Sequence, residues 1–366
     1  MKINLSKLKK IRPGEPGFVY VLAGIVFLFG LVLLVFFSWN YFGAKFSGSG
    51  GTGRDLSLQD DIVKDCNFRR VLDGVCVKTK NEVNPKLVTV MVENHYSARP
   101  QSGIASASVV YEAPVEANYT RFMLVYPETV EALKIGPVRS ARPYFLDWLQ
   151  EYGDAMYMHV GGSPDALNLI EENKIFNLNE FYRGWYFWRS EDRSAPHNVY
   201  TSSKMWKKAL ESYDELYEVD EYQGWLFNTS SPNHLTTQPQ VTEIIVSFLP
   251  PVYEAVWKYN TSTARFARYQ MGYPHTDKDG TLIEADTIVV QYVETEVLDE
   301  IGRLGMETVG SGEAVVFYNG IDILGRWVKE NKTSRTRFYD ITGEEIKLKP
   351  GKIWVEVVNG RGSVSY

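Results

Sequence analysis

The chain of 366 residues carries 39 basic and 45 acidic side chains, a net charge of −6, and is 44% hydrophobic. This composition excludes a disordered chain, a collagen-like repeat and a small disulfide-rich protein. The net negative charge argues against nucleic acid as a partner, and the length predicts about two domains at roughly 100–200 residues each. The charge is uneven, because residues 1–12 carry five cations, whereas the other 354 residues, with 34 basic and 45 acidic side chains, carry −11.

The first feature in chain order is an uncharged apolar segment of 22 residues, Phe18–Trp39. A helix rises 1.5 Å per residue, so ~20 residues span a bilayer core. A buried core helix rarely lacks charge over this length, and a cleaved signal peptide needs a shorter apolar stretch and a small-residue cleavage site. We therefore predict a basic cytoplasmic tail at 1–17 and a single transmembrane signal anchor at 18–39. Because the cations precede the span, the globular part is expected outside the cell membrane.

The next segment, residues 40–58, contains the run GAKFSGSGGTG and predicts a Gly/Ser linker. The two cysteines of the chain, Cys66 and Cys76, follow it. In an oxidising exterior we expect them to form a short-loop disulfide worth about 2–3 kcal/mol. If the orientation were reversed they would be free thiols, and a zinc site would need two further ligands nearby.

Residues 59–232 alternate between strand-like and helix-like segments. The runs LVTVMV, SVVYE, RFMLVY and AMYMHV predict strands. Helices are predicted over Tyr144–Tyr152, Pro164–Asn173 and Ser202–Tyr217. This alternation is typical of the α/β fold class, with helices layered on a sheet.

Residues 233–366 read mainly as strands, rich in β-branched and aromatic residues. The runs are VTEIIVSF, ARFARYQM, TIVVQYVET, EAVVFYNG, TRFYDI and KIWVEVV, separated by turn signals such as DKDG and KPGK. We predict a smaller, β-rich C-terminal domain. Its tyrosines either pack the sheets or offer an aromatic platform to a ligand.

Polar residues of the first domain cluster where predicted strands end. In open α/β sheets, ligands bind beyond the carboxyl ends of the strands, and a loop that opens a helix offers N–H groups to an anion. HVGGSP fits this pattern, because two glycines precede a serine N-cap and a proline at the first helical position. The candidate ligand-binding residues are Arg99, Glu112, Arg121, Arg139, Ser140, Arg142, Gly161, Gly162, Ser163, Arg193 and Asn198.

Five stretches carry a family resemblance: NHYSARPQSG, VVYEAPVEANYTRF, IGPVRSARPY, HVGGSP and RSAPHNVY. In this order they resemble the YerB-like lipoproteins of bacteria, and the likeness runs from Arg70 to Val358. The resemblance implies an extracytoplasmic protein with an N-terminal domain of unknown function and a separate β-rich C-terminal domain. It implies no particular activity. Members commonly carry a lipobox cysteine, whereas here an uncleaved apolar helix is predicted, so lipid modification does not transfer.

The arginines of these clusters have two interpretations. An arginine fork pairs bidentately with a carboxylate or a phosphate. The arginines therefore either form internal ion pairs with Glu93, Glu112 and Glu116, or clamp an anionic group of an envelope molecule, such as a lipid-linked pyrophosphate, a wall polymer or a peptide carboxylate. The first function we consider is accordingly a membrane-anchored binding or scaffold protein.

The second function is an envelope phosphotransferase or hydrolase that uses the same cleft. Its candidate catalytic residues are His197, His159 and Glu116, since an imidazole beside a held anion suits proton transfer at neutral pH. Structural histidines are the alternative. No cofactor is predicted, although a divalent metal assembled from loop histidines remains open, and no serine-hydrolase motif is present. Convergence of these side chains on one open pocket would favour the enzyme.

Overall fold

The computed structural model describes residues 66–213, 222–228 and 239–366. The predicted tail, membrane span and linker lie outside these ranges, as does the predicted domain boundary at 232–233. In the part of the chain that the structure describes, no helix is long and apolar enough to cross a membrane. Residues from Val63 to Tyr366 form one compact unit.

The described chain contains strands and four α-helices. In chain order the strands are β1 (Phe68–Arg69), β2 (Cys76–Val77), β3 (Leu87–Glu93), β4 (Val109–Pro114), β5 (Thr120–Pro127), β6 (Met156–His159), β7 (Asn177–Asn179), β8 (Trp188–Arg189), β9 (Val199–Tyr200), β10 (Glu243–Leu249), β11 (Tyr253–Asn260), β12 (Arg265–Gln270), β13 (Tyr273–Pro274), β14 (Glu284–Ala285), β15 (Thr287–Tyr292), β16 (Thr295–Val297), β17 (Leu304–Met306), β18 (Gly310–Tyr318), β19 (Ile321–Lys329), β20 (Arg337–Asp340), β21 (Ile353–Val358) and β22 (Val364–Ser365). The α-helices are α1 (Pro143–Leu149), α2 (Pro164–Glu172), α3 (Glu180–Arg183) and α4 (Ser203–Ser212).

A ten-stranded sheet in the order β20-β19-β18-β15-β21-β4-β5-β3-β6-β7 is the centre of the fold. Strands β15, β21, β4, β3, β6 and β7 run in one direction, as their parallel pairings and the two antiparallel pairings of β5 require. Their carboxyl ends therefore meet at one edge of the sheet, which we call the carboxyl edge.

Both faces of this sheet are covered. Alternate residues of β5 point to opposite sides, so Phe122 and Leu124 join one core cluster and Met123 joins the other. Helices α1 and α2 pack on the second cluster, while α4 and the sheet of β10–β14 and β22 pack on the first. Because every residue of β3, β4 and β5 is buried, these strands read as continuous apolar runs.

The strands and helices predicted for the first part are present in the structure, including the third helix, which is α4 at Ser203–Ser212. Strands β1, β2 and β7–β9 and helix α3 were not predicted. The four predicted strands correspond to β3, β4, β5 and β6. The helix predicted over Tyr144–Tyr152 is α1 followed by a 3-10 turn at Gln150–Tyr152, and α2 begins at Pro164 after its cap, Ser163, as predicted. The predicted disulfide is also present, since Cys66 and Cys76 are bonded with Cα atoms 5.5 Å apart.

The C-terminal part is β-rich, as predicted, but its strands divide between two sheets. Strands β15, β18, β19, β20 and β21 extend the sheet of the first part, through the parallel pairing of β21 with β4. All six residues of β21 are buried, so this strand needs a hydrogen-bonded neighbour on each side. The β-rich C-terminal part therefore shares one sheet with the first part.

Candidate functional site

A segment inserted between two strands forms the floor of the candidate site. Strands β3 and β6 pair in parallel as far as Val90 and Met158 and then separate. The chain around Val138 fills the gap, bridging to Val92 on one side, while Ala141 bridges to Gly162 on the other. Residues 138–142 therefore lie at the carboxyl edge, where neighbouring strands diverge and α/β sheets bind ligands.

Three arginines gather at this edge, and we call Arg121, Arg139 and Arg142 the arginine cluster. Arg142 binds Glu116 bidentately, with Nε to Oε1 at 2.6 Å and Nη2 to Oε2 at 2.9 Å. Arg139 Nε lies 3.0 Å from Glu93 Oε1. Two of the three guanidiniums therefore have carboxylate partners.

Arg121 differs from its neighbours. At the start of β5, its side chain is buried and donates from Nη1 to the carbonyl oxygen of Ser140 at 2.5 Å. Its Nε has no hydrogen-bond partner, and no carboxylate of the described residues forms an ion pair with it. Burial, and then the charges of Arg142 and Arg139, lower the pKa of Arg121 to about 10. The cluster thus holds one positive charge that the protein does not neutralise locally.

The carboxylate of Glu116 is fixed by its arginine. Burial raises its pKa, but the hydrogen bonds and charge of Arg142 outweigh burial, so the pKa is lowered overall. Glu116 therefore remains an anion that orients Arg142, and the geometry gives it no free oxygen for proton transfer.

Beside the cluster, Glu93 and His197 form a carboxylate–imidazole dyad. His197 Nδ1 lies 2.8 Å from Glu93 Oε2, and the other carboxylate oxygen faces Arg139. A carboxylate accepts, so the neutral tautomer of His197 carries its proton on Nδ1 and presents the lone pair of Nε2. Within the described chain no hydrogen bond occupies that Nε2. This is the arrangement of a general base held by a carboxylate.

His95 stacks on His197 with ring centroids 4.7 Å apart and an interplanar angle of 11°. Its Nδ1 accepts from the backbone N–H of Ser97 at 3.2 Å, so the neutral ring carries its proton on Nε2. Burial lowers the pKa of His95, and the charges of His197, Arg139 and Arg99 act in the same direction against Glu93. The two stacked imidazoles therefore offer one N–H donor and one lone pair.

Glu93, His95 and His197 each offer a ligand atom within 4.8 Å of the others, which is the spacing of a metal site. Two observations argue against a fit. A metal-binding histidine normally donates from its second nitrogen, whereas the Nδ1 of His95 accepts. Glu93 is also engaged by the cation Arg139. We derive no metal chemistry from these residues.

Glu112 lies in a different place from the cluster. It is fully buried and pairs with Arg268 of β12 at 2.6 Å, accepting also from Asn94 and Thr120. Glu112 and Arg268 therefore form an internal ion pair that joins the two parts of the chain. Burial, and then the charge of Glu112, raise the pKa of the neighbouring Glu356 well above its usual value.

Arg99 and Arg193 hold the loop after β3. Arg99 donates to the carbonyl oxygens of Asn94 at 2.9 Å and Val252 at 2.9 Å. Arg193 donates to the carbonyl oxygen of Pro100 at 2.5 Å. These contacts are internal, so the structure does not bring either arginine into the cluster.

His159 and Asn198 are also engaged in the fold. His159 is fully buried, with Nδ1 at 2.7 Å from the carbonyl oxygen of Gly161 and Nε2 at 3.2 Å from Asn177 Oδ1. Burial lowers the pKa of His159, while the hydrogen bonds to Gly161 and Asn177 raise it. Asn198 accepts from Arg189 at 3.1 Å. Neither side chain faces the dyad, and we leave both out of the site proposed below.

The glycine loop, residues 161–163, contacts the segment that carries Arg139 and Arg142 through backbone hydrogen bonds. Gly161 adopts φ +58°, and its N–H donates to Asn179 Oδ1 at 3.0 Å. Ser163 caps α2 by accepting from the N–H of Ala166, and its own N–H donates to the carbonyl oxygen of Ala141. Gly162 bridges to that same residue.

Glu93 and His95 were not among the predicted ligand-binding and catalytic residues, although both belong to the polar stretch at the end of β3. Glu93 was predicted only as an ion-pair partner of the arginines, and it pairs with Arg139. The available signal was the position of Glu93 and His95, directly after a fully buried strand at the carboxyl edge. The partners of Glu93, Arg139 and His197, lie 46 and 104 residues further along the chain, so the sequence around Glu93 does not indicate this pairing.

The covered sheet with an arginine-lined carboxyl edge defines a mixed α/β protein whose β-rich C-terminal part completes the sheet of the first. The family comparison agrees with this division. Residues 72–215 match the N-terminal domain of a protein of unknown function, DUF3048, and residues 244–355 match its C-terminal domain. The chain belongs to this YerB-like family.

Two relatives show how far the likeness extends. The chain is 30% identical over 314 residues to the putative lipoprotein YerB of Bacillus subtilis strain 168, covering 82% of this chain and 89% of the relative. The crystal structure of the YerB protein from Bacillus subtilis superposes with a TM-score of 0.71 at 28% identity, covering 81% of this chain and 99% of the other.

Proposed function

We propose that the protein is a membrane-anchored, extracytoplasmic component of a bacterial cell envelope that binds an anionic envelope ligand at the arginine cluster. The anchor rests on the uncharged segment 18–39 and the cations before it. The description of the relative as a putative lipoprotein supports a membrane-associated place, and the disulfide supports an oxidising one.

The observation that carries the binding function is the unneutralised Arg121. Three guanidiniums converge, and two carboxylates, Glu93 and Glu116, pair with the outer two. A buried charge is costly unless it is paired. A phosphate or carboxylate group at this edge supplies the missing anion with charge-assisted hydrogen bonds.

The test is a calorimetric titration of the full-length protein in neutral detergent with inorganic pyrophosphate. Hydrogen bonds to charged groups contribute about 1.5–3 kcal/mol, so Arg121→Gln is expected to weaken binding about 10- to 150-fold. Arg189→Gln is the matched control, because this exposed arginine pairs with Glu180 away from the cluster. Equal affinity in all three proteins would contradict the proposal.

The Glu93–His197 dyad favours a second candidate function, hydrolysis or transfer at the bound anion. In that reaction the attacking hydroxyl or water oxygen bonds to phosphorus while His197 Nε2 takes its proton, and the arginine cluster stabilises the developing charge. The bond from phosphorus to the leaving oxygen breaks, and that oxygen takes the proton back from His197. The test is turnover of a phosphodiester such as bis(p-nitrophenyl) phosphate by the wild type, Glu93→Gln and His197→Asn. Loss of turnover in both variants with unchanged pyrophosphate affinity supports an enzyme. Wild-type turnover no faster than the buffer alone removes this candidate.

A further inference from the structure

An exposed aromatic group follows β7 at the carboxyl edge. Phe181, Tyr182 and Trp185 lie on α3 and the 3-10 turn after it, and each is more than half exposed. A Cβ added at Gly161 would lie 2.7 Å from Phe181 Cε2, so this group is in direct contact with the glycine loop. We call these three residues the aromatic prong.

A second exposed apolar group follows β15 at the same edge. Val297, Leu298 and Ile301 lie at the tip of the β16–β17 hairpin, and each is more than half exposed. The hairpin reaches towards the start of α2, where Arg303 Nη1 lies 3.8 Å from Asp165 Oδ2. We call these three residues the aliphatic prong.

The aromatic prong contacts Gly161, and the hairpin that carries the aliphatic prong approaches Asp165, four residues further along in the first turn of α2. Gly162 is in turn bridged to Ala141, in the segment that carries Arg139 and Arg142. Large apolar side chains exposed together at one edge mark a surface that contacts a protein or a membrane. Here the apolar groups flank a site whose charge suits phosphate, which is the pattern of a lipid–water interface.

We propose that this edge docks on the bilayer in which the chain is anchored, with both prongs in the headgroup region and the arginine cluster on the phosphate of a membrane lipid. Tyrosine and tryptophan favour this interface because their rings are apolar and their polar atoms remain hydrated. The inference rests on the proposed function, since it takes the anchor and the anion site from it and adds the orientation and the source of the anion.

The chain length before the described residues allows this docking. The 26 residues from 40 to 65 separate the predicted span from Cys66. A linker of that length is predicted to span roughly 25–30 Å. The described chain enters the fold near the opposite edge of the sheet, where Asp73 O accepts from the N–H of Gly351 just before β21. A seven-residue strand such as β3 is about 23 Å long, so the linker is long enough to lie along the sheet and let the carboxyl edge meet the membrane. Tethering raises the effective concentration of the membrane surface around the carboxyl edge, so weak insertion of each prong is sufficient for docking.

The test places a fluorophore on each prong of the full-length protein in nanodiscs. Because the two native cysteines are bonded to each other, Trp185→Cys, Ile301→Cys or Ile341→Cys supplies a single free thiol. Ile341 is the control, since it is almost fully exposed and follows β20, which ends at the opposite edge of the sheet. The quencher is bromine on the acyl chains of phosphatidylglycerol nanodiscs, and nanodiscs of the same lipid without bromine are the reference.

Interfacial side chains enter the boundary by ~5–10 Å, so bromine is expected to lower the fluorescence at positions 185 and 301 about twofold or more, with little change at 341. Equal quenching at the three positions, or none at 185 and 301, would overturn the docking. Pyrophosphate titration in detergent tests the anion site separately, because no bilayer is present there.

The source of the phosphate is tested by the same titration in the two media. If a lipid phosphate occupies the cluster, pyrophosphate binds at least several-fold more weakly in phosphatidylglycerol nanodiscs than in detergent. Quenched prongs with equal pyrophosphate affinity in both media would overturn the lipid as the source. Quenched prongs in a protein that binds no pyrophosphate at all would contradict the proposed function and leave the docking of the edge supported.

Discussion

The ion pair of Arg268 and Glu112 is where a single substitution is expected to cost the most stability. Arg268 is fully buried and donates to Glu112 Oε2 at 2.6 Å and to His275 Nδ1 at 2.7 Å. Within the described residues, Glu112 accepts further bonds from Asn94 and Thr120. Arg268→Met keeps much of the side-chain volume but removes the guanidinium, and so leaves a carboxylate in the core without its cation.

Removing one partner of a buried pair costs about 3–5 kcal/mol, a large part of a total stability of about 5–15 kcal/mol. Replacing both partners by uncharged residues is close to neutral in other proteins, because desolvation of the pair offsets its attraction. We therefore expect Glu112→Gln with Arg268→Met to be more stable than Arg268→Met alone.

The assay is urea unfolding of the full-length protein in detergent, monitored by circular dichroism. Arg265→Met is the matched control, since this arginine lies on the same strand but its pair with Glu284 is partly exposed, and it is expected to cost about 1 kcal/mol or less. An Arg268→Met midpoint no lower than that of Arg265→Met would refute the reasoning, as would a double variant less stable than the single one.

Three further predictions concern stability. Gly161→Ala is expected to cost about 1 kcal/mol or more because alanine disfavours φ +58°, whereas Gly184→Ala, with φ outside the left-handed region and open space around it, is expected to be tolerated; equal melting temperatures would contradict this. Replacing Cys66 and Cys76 by serine is expected to lower the free energy of unfolding by about 2–3 kcal/mol from the short closed loop, and an unchanged urea midpoint would argue against it. Burial lowers the pKa of His275 well below its usual value. Below roughly pH 6.5 the unfolded state therefore binds more protons at this residue than the folded state does. The contribution of His275 to stability is complete above that pH and is lost as the pH falls, by ~1.4 kcal/mol per pH unit. His275→Gln is expected to flatten the acid side of the stability profile, and an unchanged slope would count against this origin.

Local sequence patterns predicted most of the elements of the first part, for a physical reason. A strand buried on both faces is a continuous apolar run, and β3, β4 and β5 are of this kind. Strand β11 was missed because its outer face carries residues such as Glu254 and Lys258, which weaken the apolar signal. Strand β19 was missed for the same reason, since Asp322 and Arg326 interrupt it.

The joining of the two parts into one sheet was not predictable from local sequence. It depends on the pairing of β21 with β4, whose residues are separated by more than 200 positions. The apolar run of β21 indicates a buried strand but does not indicate its neighbours. A shift in composition near residue 233 therefore indicated a β-rich C-terminal domain but not that its strands complete the sheet of the first part.

The candidate site was predicted in residue type and only partly in arrangement. Arginines after strand ends indicated an anion site, and Arg121, Arg139 and Arg142 do converge. The sequence does not show which arginine is left without a carboxylate, because Glu93 and Glu116 pair with arginines that are distant in sequence and lie on other loops. The positions of His159 and His197 in the sequence likewise do not show which of them pairs with a carboxylate; in the structure it is His197.

The most direct test of the central claim is the position of a bound oxyanion in crystals of the protein grown with tungstate. Tungsten scatters anomalously, and tungstate has the shape and charge of an envelope phosphate group. Our account predicts an anomalous peak at the carboxyl edge, with tungstate oxygens accepting from Arg121 and from Arg139 or Arg142. Tungstate that binds in solution but gives its anomalous peak elsewhere, leaving Arg121 without an anion, would contradict it.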